Sequence, residues 1–171
     1  MSIQELTPGT AAGTVADGFR AAFGRFPAGV AVVSTVAADG RPVGFTATSV
    51  ASASMRPPLL SFNIGLTASS WPALSAAGHI GVSLLGAHQE AVARRFATSG
   101  IDRFAGTGWR LAEPGVPLLD DALAHLVCRV ERRYPAGDHT LVLGLVLRAE
   151  PGHDVEPLVY HAGTYRRPAG A

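Results

Sequence analysis

Residues 41–60 read RPVGFTATSVASASMRPPLL. Thr46, Thr48, Ser49, Ser52 and Ser54 fall within nine positions of one another, and the only charges are Arg41 and Arg56. Serine and threonine compete for backbone hydrogen bonds, and threonine and valine are stiff at the β-carbon, so this run predicts extended chain rather than helix. The pair Pro57-Pro58 ends it rigidly before a new apolar run. Hydroxyls and backbone N–H groups on extended chain suit a flat ligand with polar edges. The same composition also fits a hydroxyl-rich edge strand with no ligand.

On the N-terminal side, Val30–Val36 is β-branched and apolar, and Asp39-Gly40 supplies a hairpin turn into Pro42–Thr46. Further back, Phe19, Ala22, Phe23 and Phe26 recur at helical spacing, predicting a short amphipathic helix over Val15–Arg25 that lays its phenylalanines on the core. Residues 1–14, with Pro8, Gly9 and Gly13, read as a loose arm. The span 15–168 is predicted to be a single domain.

On the C-terminal side, Leu59–Ile64 is a third strand. Thr67-Ala68-Ser69-Ser70-Trp71-Pro72 is a helix-start signal, predicting a helix to about Ala77 with Trp71 and Leu74 in the core. Its first N–H groups, beside Ser69 and Ser70, suit a phosphate; a plain N-cap is the competing reading. His79–Leu85 reads as a strand, Ala87–Thr98 as a helix with Val92 and Phe96 inward, and the glycine- and proline-rich span Gly100–Pro117 as a long loop. Leu123–Tyr134 and Thr140–Glu150 alternate as two long strands, joined by Pro135-Ala136-Gly137-Asp138-His139, which puts an imidazole and a carboxylate at a hairpin tip. Leu158–His161, Gly163 and Tyr165 close with a short strand. Six or seven strands with few helices predict a mainly β chain, an antiparallel barrel with flanking helices.

Composition narrows the function. Apolar residues make up 47% of 171 and charged ones 16%, which leaves surface for self-association. Net charge is +1, all cations are arginine, and none form a block longer than a pair, so a nucleic-acid partner is not expected. The lone cysteine, Cys128, rules out an intrachain disulfide and a cysteine-held metal, and its alternating surroundings predict a buried thiol. No apolar run approaches the ~20 residues of a membrane span, and the first residues lack a basic start and apolar core, so a soluble cytoplasmic protein is expected. Gly106-Thr107-Gly108 leads into Trp109-Arg110-Leu111 rather than a helix, so it is no dinucleotide fingerprint; phosphate loops, H-E-x-x-H and G-x-S-x-G are missing too. The six histidines are too scattered to imply a metal site.

Several pieces in fixed order carry a family likeness. They are Phe19-Arg20, Phe26-Pro27-Ala28-Gly29-Val30 running into Ala31-Val32-Val33, Gly44-Phe45-Thr46-Ala47-Thr48-Ser49, and Ser52-Ala53-Ser54 before Pro57-Pro58-Leu59. Arg103-Phe104, Gly137-Asp138-His139, and Pro157-Leu158 with Gly163 and Tyr165 follow. Over residues 17–166 the chain resembles the short-chain flavin reductases, small NAD(P)H:flavin oxidoreductases that supply reduced flavin to two-component monooxygenases. It departs from the family pattern at Ala28, where threonine is frequent, and at Thr48, where asparagine is frequent.

The resemblance implies an antiparallel Greek-key split β-barrel of the FMN-binding type, working as a homodimer. It implies hydride transfer from NADH or NADPH to FMN or FAD, with the reduced flavin leaving for a separate monooxygenase. The cofactors carry that chemistry, so no protein nucleophile is needed. Pro42, Val43, Gly44, Phe45, Thr46, Thr48 and Ser49 would line the flavin and stabilise its growing negative charge, with Asn63, Ile64 and Gly65 against the same ligand. Ser69, Ser70 and Arg95, the arginine just before the helix's terminal phenylalanine, would lie toward the phosphate. Arg103, Phe104 and Ala105 would lie near the cofactor, and Tyr160, His161, Ala162 and Gly163 in the nicotinamide pocket. His139 is the candidate catalytic residue, orienting the nicotinamide, with Asp138 fixing its ring or the turn. A non-catalytic flavin carrier or sensor and a flavin-dependent oxidase would share these residues.

Overall fold

The computed structural model describes residues 12–168, so most of the predicted arm at 1–14 lies outside the described residues. In chain order the elements are α1 (Ala12–Gly24), β1 (Ala28–Gly29), β2 (Ala31–Val36), β3 (Pro42–Ala47), β4 (Ala51–Met55), β5 (Pro58–Gly65), α2 (Trp71–Ala76) and β6 (His79–Leu84). A 3₁₀ turn (Ala87–Gln89) leads into α3 (Glu90–Ala97), followed by β7 (Trp109–Ala112), β8 (Val116–Leu119), β9 (Ala124–Ala136), β10 (His139–Pro151), β11 (Val159–His161) and β12 (Thr164–Arg166).

Seven strands form one antiparallel sheet in the order β3-β2-β6-β9-β10-β5-β4. Its two edge strands, β3 and β4, are joined only by residues 48–50, so the sheet must bend until its edges meet at that corner. Ser49 fastens the corner: its hydroxyl accepts the N–H of Asn63 on β5 at 2.9 Å. The hydrogen-bonded ladder itself stays open between the edges. A small sheet, β1-β11-β12, and the β7–β8 hairpin complete the structure.

The apolar run Val30–Val33 into β2 has a direct cause, because both faces of that strand are buried, and the Ser34 hydroxyl that follows is satisfied by the Gly81 and Pro117 carbonyls. Ala31 and Val33 join Phe62, Ile64, Ile80, Val82, Cys128 and Val142 on one side, while Val32 joins Leu85, Ala93, Phe96, Phe104 and Leu119 on the other. Each of the buried valines, leucines, isoleucines and phenylalanines contributes roughly 1.5–3 kcal/mol. The β2–β3 hairpin turns at Asp39-Gly40, where Gly40 has φ +84°. The predicted inward thiol of Cys128 is fully buried, and burial pushes its pKa up to about 12. A disulfide reagent is therefore expected to leave the folded protein unmodified and to titrate one thiol after unfolding; rapid reaction in the folded state would contradict this packing.

Three expectations are corrected. The N-terminal helix forms, but Phe19 and Phe23 are 64% and 60% exposed because α1 projects its apolar face away from the core, and Phe26, in the turn after α1, is 68% exposed. The span Gly100–Pro117 is not loop throughout: Trp109–Ala112 and the apolar Val116–Leu119 pair as β7 and β8 around Pro114-Gly115. The described residues hold twelve strands rather than six or seven, since Ala51–Met55 pairs with β5 and the closing strand splits into β11 and β12 around Ala162-Gly163. Leu74 is buried as expected, with Trp71 packed partly buried against the core. Among the described residues no helix is long and apolar enough to cross a membrane.

Candidate functional site

The site is built around Gly44 in the middle of β3. A β-carbon there would lie 3.1 Å from Phe96 Cε1, 3.1 Å from the Val33 carbonyl oxygen and 3.4 Å from Phe104 Cζ, so the bare backbone is what lets β3 run against these rings. The Gly44 carbonyl accepts two hydrogen bonds, from Ser70 Oγ at 3.0 Å and from Arg103 Nη1 at 2.7 Å.

Arg103 joins three elements at this corner. Nη1 also donates to Ser70 Oγ at 2.7 Å, Nη2 to Ser69 Oγ at 3.1 Å, and Nε to the Thr98 carbonyl after α3 at 2.8 Å. Partial burial lowers its pKa from the ordinary arginine value, but a guanidinium in protein stays charged. Ser70 is buried and makes no side-chain cap to α2, because its hydroxyl is committed to Gly44 and Arg103; Ser69 is exposed. The corner thus presents a cation and an exposed hydroxyl side by side, a donor set that fits a phosphate ester.

Arg95, expected on the phosphate itself, turns elsewhere. Its Nε donates to the Arg103 carbonyl at 2.9 Å and its Nη2 to the Asp102 carbonyl at 2.8 Å. The Asp102 carboxylate accepts the N–H groups of Phe104 and Ala105. Arg95 and Asp102 therefore fix the main chain that carries Arg103. Asp102 and Thr98 escaped the sequence reading, although an aspartate just ahead of a turn commonly bonds the next N–H groups.

Other expected residues divide into those that face outward and those spent on packing. Thr48 and Asn63 are exposed, and Pro42, Val43 and Ser49 half-buried. Ile64 is in the core, so only its main chain is available, and Phe104 is buried edge-on between Phe96 (4.9 Å) and Trp109 (5.5 Å). Phe45 packs against the core near Phe62, and the Thr46 hydroxyl donates to the Ala93 carbonyl at 2.7 Å. Ala105 is exposed on the loop beside Arg103.

The hairpin tip sits at the far end of the same β5 segment. His139 pairs with Gly65, and its Nε2 is 3.7 Å from where a β-carbon of Gly65 would be, so the ring lies beside the main chain at the end of β5. Nδ1 lies 2.6 Å from Asp138 Oδ1, which assigns the Nδ1 proton to that hydrogen bond and leaves Nε2 on the Gly65 side. The hydrogen bond and charge of His139 hold the Asp138 carboxyl below its ordinary value. Residues 65–70 connect the two places: Leu66 N–H donates to the Asp138 carbonyl, and four and five residues beyond Gly65 come Ser69 and Ser70, held by Arg103.

Tyr160 and Gly163 line a hollow of about 430 Å³ with Arg94, Ala97, Thr98 and Tyr165. Tyr160 stacks edge-on against Tyr165 at 5.2 Å, and Arg94, paired with Glu90, lies over the Tyr165 ring. His161 is half-buried; Ala162 and Gly163 form the turn with positive φ, and Ala162 N–H donates to the Gly24 carbonyl at the end of α1. The described residues hold no group of three or more His, Cys, Asp or Glu placed for a metal ion.

A mainly antiparallel fold with an arginine–hydroxyl corner and an imidazole at a hairpin tip fits a binding scaffold for a cofactor that brings its own reactivity. Comparison with known proteins identifies it: residues 23–169 match the family described as flavin reductase like domain, and the chain belongs to that family. It is 47% identical over 167 residues to an NADH:FMN oxidoreductase of Rhodococcus qingshengii, covering 95% of this chain and 86% of that one. It is 38% identical over 149 residues to the reductase subunit of a flavin-dependent monooxygenase of Mycobacterium tuberculosis, covering 86% and 79%. Among solved structures, the NADH:FAD oxidoreductase of Streptomyces globisporus, in complex with NAD and FAD fragments, superimposes with a TM-score of 0.85 at 39% identity, covering 91% of this chain and 94% of that one.

Proposed function

We propose that the chain is an NAD(P)H:flavin oxidoreductase that reduces FMN or FAD and releases the reduced flavin to a separate monooxygenase. The observation that carries this reading is the Arg103 corner, where one guanidinium joins Gly44 of β3, Ser69-Ser70 and the end of α3. When bound, the flavin supplies the ring that accepts a hydride, and the nicotinamide supplies the hydride. Arg103 and Ser69 bind the flavin phosphate. Main-chain N–H groups along 43–49 and the exposed Thr48 hydroxyl, with Asn63 and the main chain of Ile64 and Gly65, would stabilise negative charge on the ring. His139, steadied by Asp138, would orient the nicotinamide, and Tyr160–Gly163 would contribute to its pocket. Arg95 acts through the 102–105 loop.

Around this site, residues 15–168 work as one domain of the Greek-key split-barrel type, a reading supported by the three-residue link between the edge strands. The reductase acts on the cytoplasmic nicotinamide pool. It consumes NADH or NADPH in proportion to added flavin, measured by near-ultraviolet nicotinamide absorbance with FMN, FAD and riboflavin compared. Flavin binding without nicotinamide consumption would contradict this reading and leave the carrier in its place.

The reductase works as a homodimer. The open face of α1, with Val15, Phe19 and Phe23, supports this, since two neighbouring rings 4.6 Å apart are otherwise left in water. Replacing Phe19 and Phe23 together by serine removes roughly 1.5–3 kcal/mol of burial per ring and weakens self-association on the order of a hundredfold or more. Light scattering across a dilution series checks it. A variant as fully associated as the parent would contradict a role for α1.

A further inference from the structure

A cleft of about 660 Å³ lies beside the phosphate corner, between the β2–β3 hairpin and one face of α2. Its walls are mostly small and apolar, Val36 and Ala38 on the hairpin, Ala73 and Ala76 on the helix and Pro114 on the β7–β8 turn, with Thr35 and His79 as polar lining, so they offer a slot for a flat ring. Val43 and Ser69 belong to both places: Val43 precedes Gly44, and the Ser69 hydroxyl that lines the cleft also accepts from Arg103. At the hairpin end stand Asp39 and Arg41, paired at 2.8 Å and open to solvent.

Resting on the flavin reading above, we propose that this cleft takes the adenylate half of FAD, so that residues on its walls set the choice between FAD and FMN. FMN ends at the phosphate held by Arg103 and Ser69 and leaves the cleft unused. FAD continues from that phosphate, and the shared wall at Ser69 leads its second phosphate and adenosine into the slot. Arg41 supplies a guanidinium for the second phosphate, Asp39 an acceptor for a ribose hydroxyl, and the alanine walls enclose the adenine.

Ala76→Phe and Ala38→Trp fill the slot from opposite sides at exposed positions that touch neither Gly44 nor Arg103. Dissociation constants for FMN and FAD are read from flavin fluorescence without nicotinamide, and KM for NADH is read with FMN. Each variant is expected to weaken FAD by about tenfold or more while FMN binds as to the parent, which also reports an intact fold. Unchanged FAD affinity in both variants overturns the proposal, as does a rise confined to the KM for NADH, which would give the slot to the nicotinamide's adenosine. A parent chain that binds neither flavin overturns the flavin reading itself.

Discussion

Arg103→Ala is expected to weaken FMN binding by a hundredfold or more. The guanidinium is the charge at the phosphate corner and at the same time a link between Gly44, Ser69-Ser70 and Thr98. A hydrogen bond to a charged group contributes about 1.5–3 kcal/mol, and partial exposure of Arg103 reduces each, so an effective loss of two such bonds is about 3 kcal/mol or two decades in affinity. Removal also strands the buried Ser70 hydroxyl with one partner fewer, which lowers the melting temperature by several degrees, at ~2–4 °C per kcal/mol for a chain of this size. Arg103→Lys restores the charge but not the fork that reaches several acceptors at once, and so recovers only part of the loss. Arg95→Ala, which loosens the loop but leaves the cation in place, costs less. Fluorescence titration with FMN and a thermal melt check the set. Equal FMN affinity in Arg103→Ala and the parent would move the phosphate elsewhere.

His139→Ala separates binding from chemistry. The ring rests against Gly65 and is steadied by Asp138, away from Arg103, so its loss is expected to leave FMN affinity within about twofold while slowing reduction by NADH about ten- to a hundredfold, the scale of a lost orienting contact. Asp138→Asn keeps the ring but weakens its hold, and falls between the parent and His139→Ala. Rapid mixing of the FMN-loaded protein with NADH reads the rate directly. If His139→Ala reduced its flavin as fast as the parent, the imidazole would be only a turn residue.

Much of the fold was legible because strand alternation and turn chemistry are local. Val30–Val36 followed by Asp39-Gly40 specifies the first hairpin, and the paired alternations on either side of Gly137-Asp138 specify the longest one. Periodicity marks Phe19 and Phe23 as an apolar face but does not say what covers it, and in the single chain α1 lies off both cores. The short pairing of Trp109–Ala112 with Val116–Leu119 was hidden by glycines and prolines that read as loop.

The site divides along the same line. Residue types point to Ser69 and Ser70, and the family resemblance adds Gly44, Arg103 and His139; the fold places them on β3, residues 65–70, the 98–105 loop and the β9–β10 tip. Which of two arginines turns to the hydroxyls depends on the path of the 98–105 loop, a tertiary matter. Sequence therefore could not distinguish Arg95, spent on carbonyls, from Arg103, set against Ser69 and Ser70. Ile64 and Phe104 show the same limit, since a neighbour of a ligand in sequence can have its side chain turned into the core.

Anaerobic mixing of the FMN-loaded protein with NADH, followed by the visible flavin absorbance, tests the central claim most directly. The account predicts full bleaching of the flavin band at a rate orders of magnitude above that of free FMN with NADH at the same concentrations, and a slower rate in His139→Ala. Bleaching no faster than free FMN, with the flavin demonstrably bound, would contradict it and make the chain a flavin carrier.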